Sequence, residues 1–397
     1  MQIRTLRIVG DQISTLGAWQ FDDLSNPAEL AIAFGNIEGI KQLGLRADLK
    51  QLAKNWLAGS SCLGCADQAG LNNSSAPSVT VLLIDDPTGH YGVGSAELTG
   101  NIADKASNAL QMAMDIAGKS HELPNLIWCL QAPGTEEAVI QGIENLVGDQ
   151  VPIFGGSTAD NDVSGQWLQF DGNTLSANTL LLAVFYPSTP ISNFFSSGYF
   201  LTECHGVATA VTERRLYSID NQPAAKIYNQ WLQQTNNSVL NPGNILMEST
   251  LFPLGREVKQ ESHLPFYLLS HPAVLHEDGS LSLFSEIQVG EQLWLMQGDK
   301  TDLIARAGEV VRTAKQNLKF HYNCEAAGAI IVYCAGCMLA VKDNIDEVQQ
   351  AIQAELGDIP FIVTFTFGEQ GCFVDGSNRH GNLMISAVLI GAHHANE

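Results

Sequence analysis

Two stretches of this chain are built to one plan, and that repetition constrains the fold more than any other feature of the sequence. Residues 146–160 read LVGDQVPIFGGSTAD and residues 356–371 read LGDIPFIVTFTFGEQG. Each is the end of an amphipathic segment, then Gly-Asp, a proline, a buried apolar run and a glycine turn beside acidic or hydroxyl side chains. A chain that twice delivers a strand end into a glycine turn is building two related lobes. A small-molecule site is expected where such turns leave backbone amides free.

Length agrees with two lobes. At 397 residues the chain exceeds one ordinary core, and 45% hydrophobic against 16% charged residues indicates a large buried fraction. The alternation of helix-like and strand-like segments places it in the mixed α/β (α+β) class, with two lobes of mixed sheet layered with helices. Strands are expected over 79–84, 126–130 and 180–185, and helices over 27–43, 45–57, 102–118 and 224–232. Thr135 and Asn344 stand as N-caps before stripes formed by Val139, Ile143 and Leu146 and by Val348, Ile352 and Leu356. The division between lobes is placed near residue 215, giving 1–215 and 216–397.

Charge and hydropathy exclude several partners. The 42 acidic and 20 basic residues leave a formal charge of −22, and beyond Arg214-Arg215 no basic cluster offsets it. Phosphate backbones and anionic lipid surfaces would be repelled, so neither nucleic acid nor membrane insertion is expected. The apolar run 328–341 is shorter than a membrane helix and contains the strand-like Ile330-Ile331-Val332-Tyr333. The first residues show no signal-peptide pattern and read as the mature start of a cytoplasmic protein.

Eight cysteines in a chain of this size read as thiols of a reducing compartment. Four of them form two CxxC units, Cys62/Cys65 and Cys334/Cys337. Two such units can supply four thiolates to one zinc ion or an iron-sulfur cluster; the same thiols can be a redox switch or buried structural residues. The second unit sits in an apolar strand, where its two sulfurs would point to opposite faces unless Gly336 bends the chain. Gly155, Gly156, Ser157 and Thr158 can present amide and hydroxyl donors to a carboxylate or carbonyl, and Glu369 can accept an ammonium group. Cys372, His380 and Glu369 have the residue types of a thiol-dependent enzyme, but no nucleophile elbow, phosphate loop or metallohydrolase signature accompanies them.

Four segments, in order, resemble the FIST domain family: Gly59-Ser60-Ser61-Cys62-Leu63-Gly64; Gly155 to Asp160; Val332-Tyr333-Cys334-Ala335-Gly336; and Phe367-Gly368-Glu369 followed by Asn382. The resemblance spans N-terminal and C-terminal FIST modules and most of the chain. It implies a bacterial, intracellular sensory protein that binds a small ligand and signals in trans to a histidine kinase or a cyclic-di-GMP enzyme. Part of the family resembles haem-containing nitric oxide sensors, for which His205 and His380 are the first axial-ligand candidates and His271 and His321 further ones; His393 and His394 fall in an expected tail. This chain departs from the pattern at Cys337, where many members carry a basic residue, which removes a charge suited to an acidic ligand.

Overall fold

The computed structural model describes residues 1–20, 23–24, 26–258, 266–373 and 375–393. His394, assigned to the tail above, lies outside them. The fold is mixed α+β, built on four sheets. Among the described residues no helix is long and apolar enough to cross a membrane.

Three of the sheets repeat one arrangement. In the first, Ala28–Gly35 and Ala53–Ser60 are parallel neighbours, and Ser78–Asp85 then Gln2–Val9 continue it in antiparallel fashion. In the second, Leu126–Gln131 and Ile153–Ser157 are the parallel pair, followed by Thr179–Tyr186 and His90–Glu97. In the third, Ala326–Cys334 and Phe361–Thr366 are parallel, followed by Met384–Gly391 and Ile191–Ser197. The repeat seen at 146–160 and 356–371 therefore has a third copy, whose second strand is Ala53–Ser60. That copy lacks the Gly-Asp and proline signature.

The three units are locked by exchanging hairpins. After its parallel pair each unit sends a hairpin to another unit's sheet. The hairpin of Cys65–Asp67 and Gly70–Asn72 joins the third sheet through Phe361–Thr366. Gln169–Phe170, paired with Leu175–Ser176, joins the first through Ala53–Ser60. Glu369–Cys372, paired with Asn378–Gly381, joins the second through Ile153–Ser157. The exchange is cyclic, so the ends of the three receiving strands are brought together at one centre.

Helices Ile102–Ile116 and Glu136–Val147 cover the outer face of the second sheet, burying Leu110, Ile143 and Leu182 together. Lys300–Tyr322 and Ile345–Leu356 do the same for the third. The inner faces merge into one core containing Leu30, Trp128, Phe154, Ile331 and Val363. The chain between Ile191–Ser197 and Lys300–Tyr322 forms the fourth sheet, which packs with helix Ala224–Asn236 on its own core around Tyr228 and Leu293. This unit is an insertion into the third repeat.

The strands expected over 79–84, 126–130 and 180–185 and the helices over 102–118 and 224–232 are present with shifted ends. The helices expected over 27–43 and 45–57 are not. Residues 27–43 divide into the strand Ala28–Gly35 and helix Ile37–Leu45, and 45–57 contain the short helix Ala47–Lys50 and most of the strand Ala53–Ser60. Ala28–Gly35 has neighbours on both sides and buried side chains on both faces, so it shows no period-two pattern, and its Ala and Leu content reads as helical. Asn36 ends it and starts the helix: its side chain accepts the Gly39 amide at 2.7 Å. Thr135 and Asn344 do occupy N-cap positions, without a side-chain capping bond at either. The Glu136 carboxylate accepts the Gly134 amide instead.

Candidate functional site

The three receiving strands end against one another. The Cys62 amide donates to Phe365 O at 3.1 Å, Ala159 N to Ser60 O at 3.0 Å and Phe367 N to Ser157 O at 3.1 Å. The Ser61 hydroxyl accepts the Phe365 amide at 2.8 Å. This closed ring uses the amides that the glycine turn was expected to leave free. Ser157 N donates to Gly368 O and Thr158 N to Gln131 O, both at 2.8 Å. Gly155 and Gly156 lie in a strand, so in this conformation the turn is a structural junction. Gly155 has φ +142°, and a Cβ there would overlap the Cys129 carbonyl oxygen.

Beside this centre lies a cavity of about 40 Å³, walled by the insertion on one side and the third repeat on the other. Leu246, Thr250, His271 and Phe284 come from the insertion; Cys334, Thr366 and Asn382 come from the third repeat; Val163 closes it from a loop of the second. That loop is folded around Asp160, whose carboxylate accepts the amides of Val163 at 2.6 Å, Gly165 at 2.7 Å and Gln166 at 2.9 Å. Asn382, 2% exposed, accepts the His271 amide through Oδ1 at 3.1 Å, while its buried Nδ2 has no protein partner.

The groups around the cavity are uncharged near neutral pH. Burial drives the His271 imidazole down to about 4; its Nε2 donates to Leu246 O at 3.0 Å. Glu369 lies just behind the wall, accepting the Thr366 hydroxyl at 2.8 Å and the Met384 amide at 3.1 Å. Complete burial, then the neighbouring Cys334, hold its carboxyl well above the usual range, which favours the protonated form. Burial raises the Cys334 thiol strongly too, with Cys337 adding to the effect.

The four CxxC cysteines are divided. Cys334 ends its strand and Cys337 lies in helix Ala335–Ala340, so the chain turns at this point and both thiols stay on the same side of it, close enough for Cys337 to act on the Cys334 thiol. Cys62 lies near Cys334, but Cys65 points away and donates to Phe34 O at 3.1 Å. Burial pushes both Cys62 and Cys65 up to about 12, which opposes the thiolate a metal needs. Among the described residues, the group whose ligand atoms converge within 4.8 Å is Glu136, Glu137 and His380.

That cluster borders a second, polar cavity of about 210 Å³. Arg214 Nη2 bonds Glu136 at 2.6 Å and Glu137 at 2.5 Å, and His380 Nδ1 bonds Glu137 at 2.9 Å. The Glu286 amide donates to Glu137 at 2.9 Å, and the Ser157 hydroxyl donates to Glu136 at 2.6 Å. The carboxylates' desolvation is offset by His380 and Arg214, which hold both below the usual range. An arginine already supplies the positive charge a metal ion would bring. Glu136 and Glu137 were readable in the sequence only as first-turn acids.

Haem does not fit the two histidines assigned to it in this conformation. His380 is 4% exposed, with Nδ1 engaged and Nε2 close against Gly368. His205 is exposed on a strand beside Trp294. Of the other candidates, His271 has its Nε2 committed to Leu246 O, and His321 is exposed on helix Lys300–Tyr322. The Cys372, His380 and Glu369 arrangement is not assembled, because Gln370 rather than Glu369 stands opposite His380 and the Glu369 side chain enters the other face of the sheet.

Models of the FIST N domain and the FIST C domain match residues 29–222 and 224–372. The chain belongs to the FIST family, and FIST domains are sensory signal-transduction domains. No curated protein matches it. Among solved structures it is similar to a cyanuric acid hydrolase from A. caulinodans, at 9% identity over 98% of each chain with a TM-score of 0.36.

Proposed function

We propose that this protein senses a small uncharged molecule held in the cavity between the insertion and the third repeat. The observation that carries the reading is Asn382 Nδ2, a buried donor without a protein partner, on a residue that lines a cavity whose other walls are apolar or neutral. A buried amide donor left unpaired costs about 1–3 kcal/mol, and a ligand carbonyl or hydroxyl would recover it. Without a charged partner in the wall, a carboxylate or ammonium group would be desolvated uncompensated. The absence of a basic residue at Cys337 agrees with that selectivity.

Ligand entry requires displacement of Val163 and the loop folded on Asp160, which joins the cavity to the second repeat. Binding then shifts the balance between open and closed arrangements of this loop and alters the surface offered to a partner. The output we assign to it acts in trans, on a separate histidine kinase or cyclic-di-GMP enzyme, the kind of partner that a FIST sensory role implies. Haem-based nitric oxide sensing is not favoured by the placement of His205 and His380.

The test is thermal unfolding under reducing conditions with formamide, acetamide and propionamide, and with acetate and glycine as charged controls. A saturating amide at about a hundredfold excess over Kd stabilises the folded state by about 2.7 kcal/mol. The expected result is an upward shift with at least one amide in the wild type and none in Asn382→Leu. Equal shifts in both proteins, or a response confined to the charged controls, would sink the reading.

A further inference from the structure

We infer that Cys334 and Cys337 form a peroxide-oxidisable dithiol, with Cys334 as the thiol reached through the ligand cavity and Glu369 as its proton relay. The pair is assembled from independent features. Cys334 is a wall residue of the cavity at the end of its strand, Cys337 follows one helical turn on, and Glu369 lies behind the same wall, bonded to the wall residue Thr366 at 2.8 Å, with both groups among the neighbours that act on the Cys334 thiol. Cys337 is fully buried behind it, 3.6 Å from the Tyr199 hydroxyl. Asn382, whose buried Nδ2 has no protein partner, lines the same cavity and is a donor for an incoming oxygen once the wall yields.

Cavity size selects the oxidant. A volume of about 40 Å³ admits roughly three water-sized molecules, at about 10–15 Å³ each. Hydrogen peroxide is of that size and uncharged, whereas a peptide disulfide such as oxidised glutathione is far larger and anionic.

The chemistry balances on these residues alone with peroxide as the oxidant. The Cys334 sulfur attacks one peroxide oxygen; an S–O bond forms and the O–O bond breaks. The thiol proton passes to the Glu369 carboxyl, and the carboxyl's own proton is handed through the hydroxyl of Thr366, which bonds Glu369 and lines the cavity, to the departing hydroxide, which leaves as water. The sulfur is oxidised by two electrons to a sulfenic acid and the other peroxide oxygen is reduced. Cys337 then attacks the Cys334 sulfur; the S–S bond forms, the S–O bond breaks, and the hydroxyl departs as a second water with the Cys337 proton. Both thiols are buried and burial raises the Cys334 thiol strongly, so without a proton path behind it Cys334 would be inert. The protonated Glu369 carboxyl supplies that path as a relay, its carbonyl oxygen taking the thiol proton while its hydroxyl gives one up.

The inference uses the same cavity as the ligand reading but does not need an organic ligand. Its readout is mass, whereas the amide test reads thermal stability with the thiols reduced, so either can fail alone. The full chain, with Cys204→Ser and Cys372→Ser to remove the two less buried thiols, is reduced, treated with hydrogen peroxide and mapped by peptide mass spectrometry. Expected is loss of two hydrogens, reversed by dithiothreitol and mapped to a Cys334–Cys337 link. Cys337→Ser should instead gain one oxygen at Cys334, trapped by dimedone, and Cys62→Ser should leave the link intact. Glu369→Gln should slow the dimedone-trapped step by on the order of a hundredfold; an unchanged rate would overturn the relay role. An unmodified dithiol under peroxide that oxidises free cysteine, or a Cys62–Cys334 link, would overturn the pair.

Discussion

Replacing Arg214 with Met should destabilise the protein strongly at neutral pH and much less in acid. Arg214 is 23% exposed and bonds Glu136, 2% exposed, and Glu137, 27% exposed. The methionine keeps most of the aliphatic packing and removes the charge from two carboxylates that cannot reach water freely. Breaking a fully buried pair this way costs about 3–5 kcal/mol; solvent at Arg214 and Glu137 reduces the expectation to about 2–3 kcal/mol. The pH dependence has a definite sign. Both carboxyls are held below their unfolded value of 4.5 despite desolvation, by His380 and Arg214. Their contribution is present above that value and is lost as the pH falls through the folded values. In the variant Glu136 is buried without its partner, so its carboxyl rises and the protein recovers stability on protonation. Urea unfolding followed by tryptophan fluorescence should therefore show a difference of about 2–3 kcal/mol near pH 7.5 and less than about half of it near pH 4.5. A difference below about 1 kcal/mol, or one independent of pH, would mean the cluster is screened by solvent and does not hold the repeats together.

Other perturbations test the architecture and whether a bound metal contributes to it. Gly155→Ala should cost more than about 3 kcal/mol, seen as loss of soluble protein, because φ is +142° and the new Cβ overlaps the Cys129 carbonyl; full stability would contradict the packing of the second sheet. Asp67→Asn should cost about 2–3 kcal/mol in urea unfolding, since the buried carboxylate accepts Arg7 Nε at 2.7 Å and Nη2 at 2.6 Å and the Thr80 hydroxyl at 2.8 Å. A neutral effect would mean this exchanged hairpin is not anchored by its charge. Chelator dialysis should leave the unfolding temperature unchanged, because Cys65 is turned away from Cys334 and the Glu136, Glu137 and His380 cluster is already neutralised; a marked drop would restore a metal site.

Local structure was legible wherever one element carried its own signal. The plan at 146–160 and 356–371 marks two true repeats, and Cys334, Glu369 and Asn382 all stand in motifs that the sequence displays. The third repeat escaped because Ala53–Ser60 has neither the proline nor the Gly-Asp turn before it. The hairpin exchange escaped for a different reason. Pairings such as Thr364 with Cys65 and Gly156 with Glu369 join residues hundreds apart, and strand register is decided by packing rather than by local pattern. The outer wall of the cavity was equally silent: Leu246, Thr250, His271 and Phe284 belong to an insertion whose residues form no motif and acquire a role only by docking on the third repeat.

The most direct test of the central claim is a crystal structure of the reduced protein soaked with the amide that stabilises it most. The account predicts density in the cavity of Thr366 and Asn382, with the amide oxygen accepting from Asn382 Nδ2 and the Val163 loop displaced. Density in the polar cavity lined by Glu137, Arg256 and Arg379, with the Asn382 cavity unchanged, would contradict it.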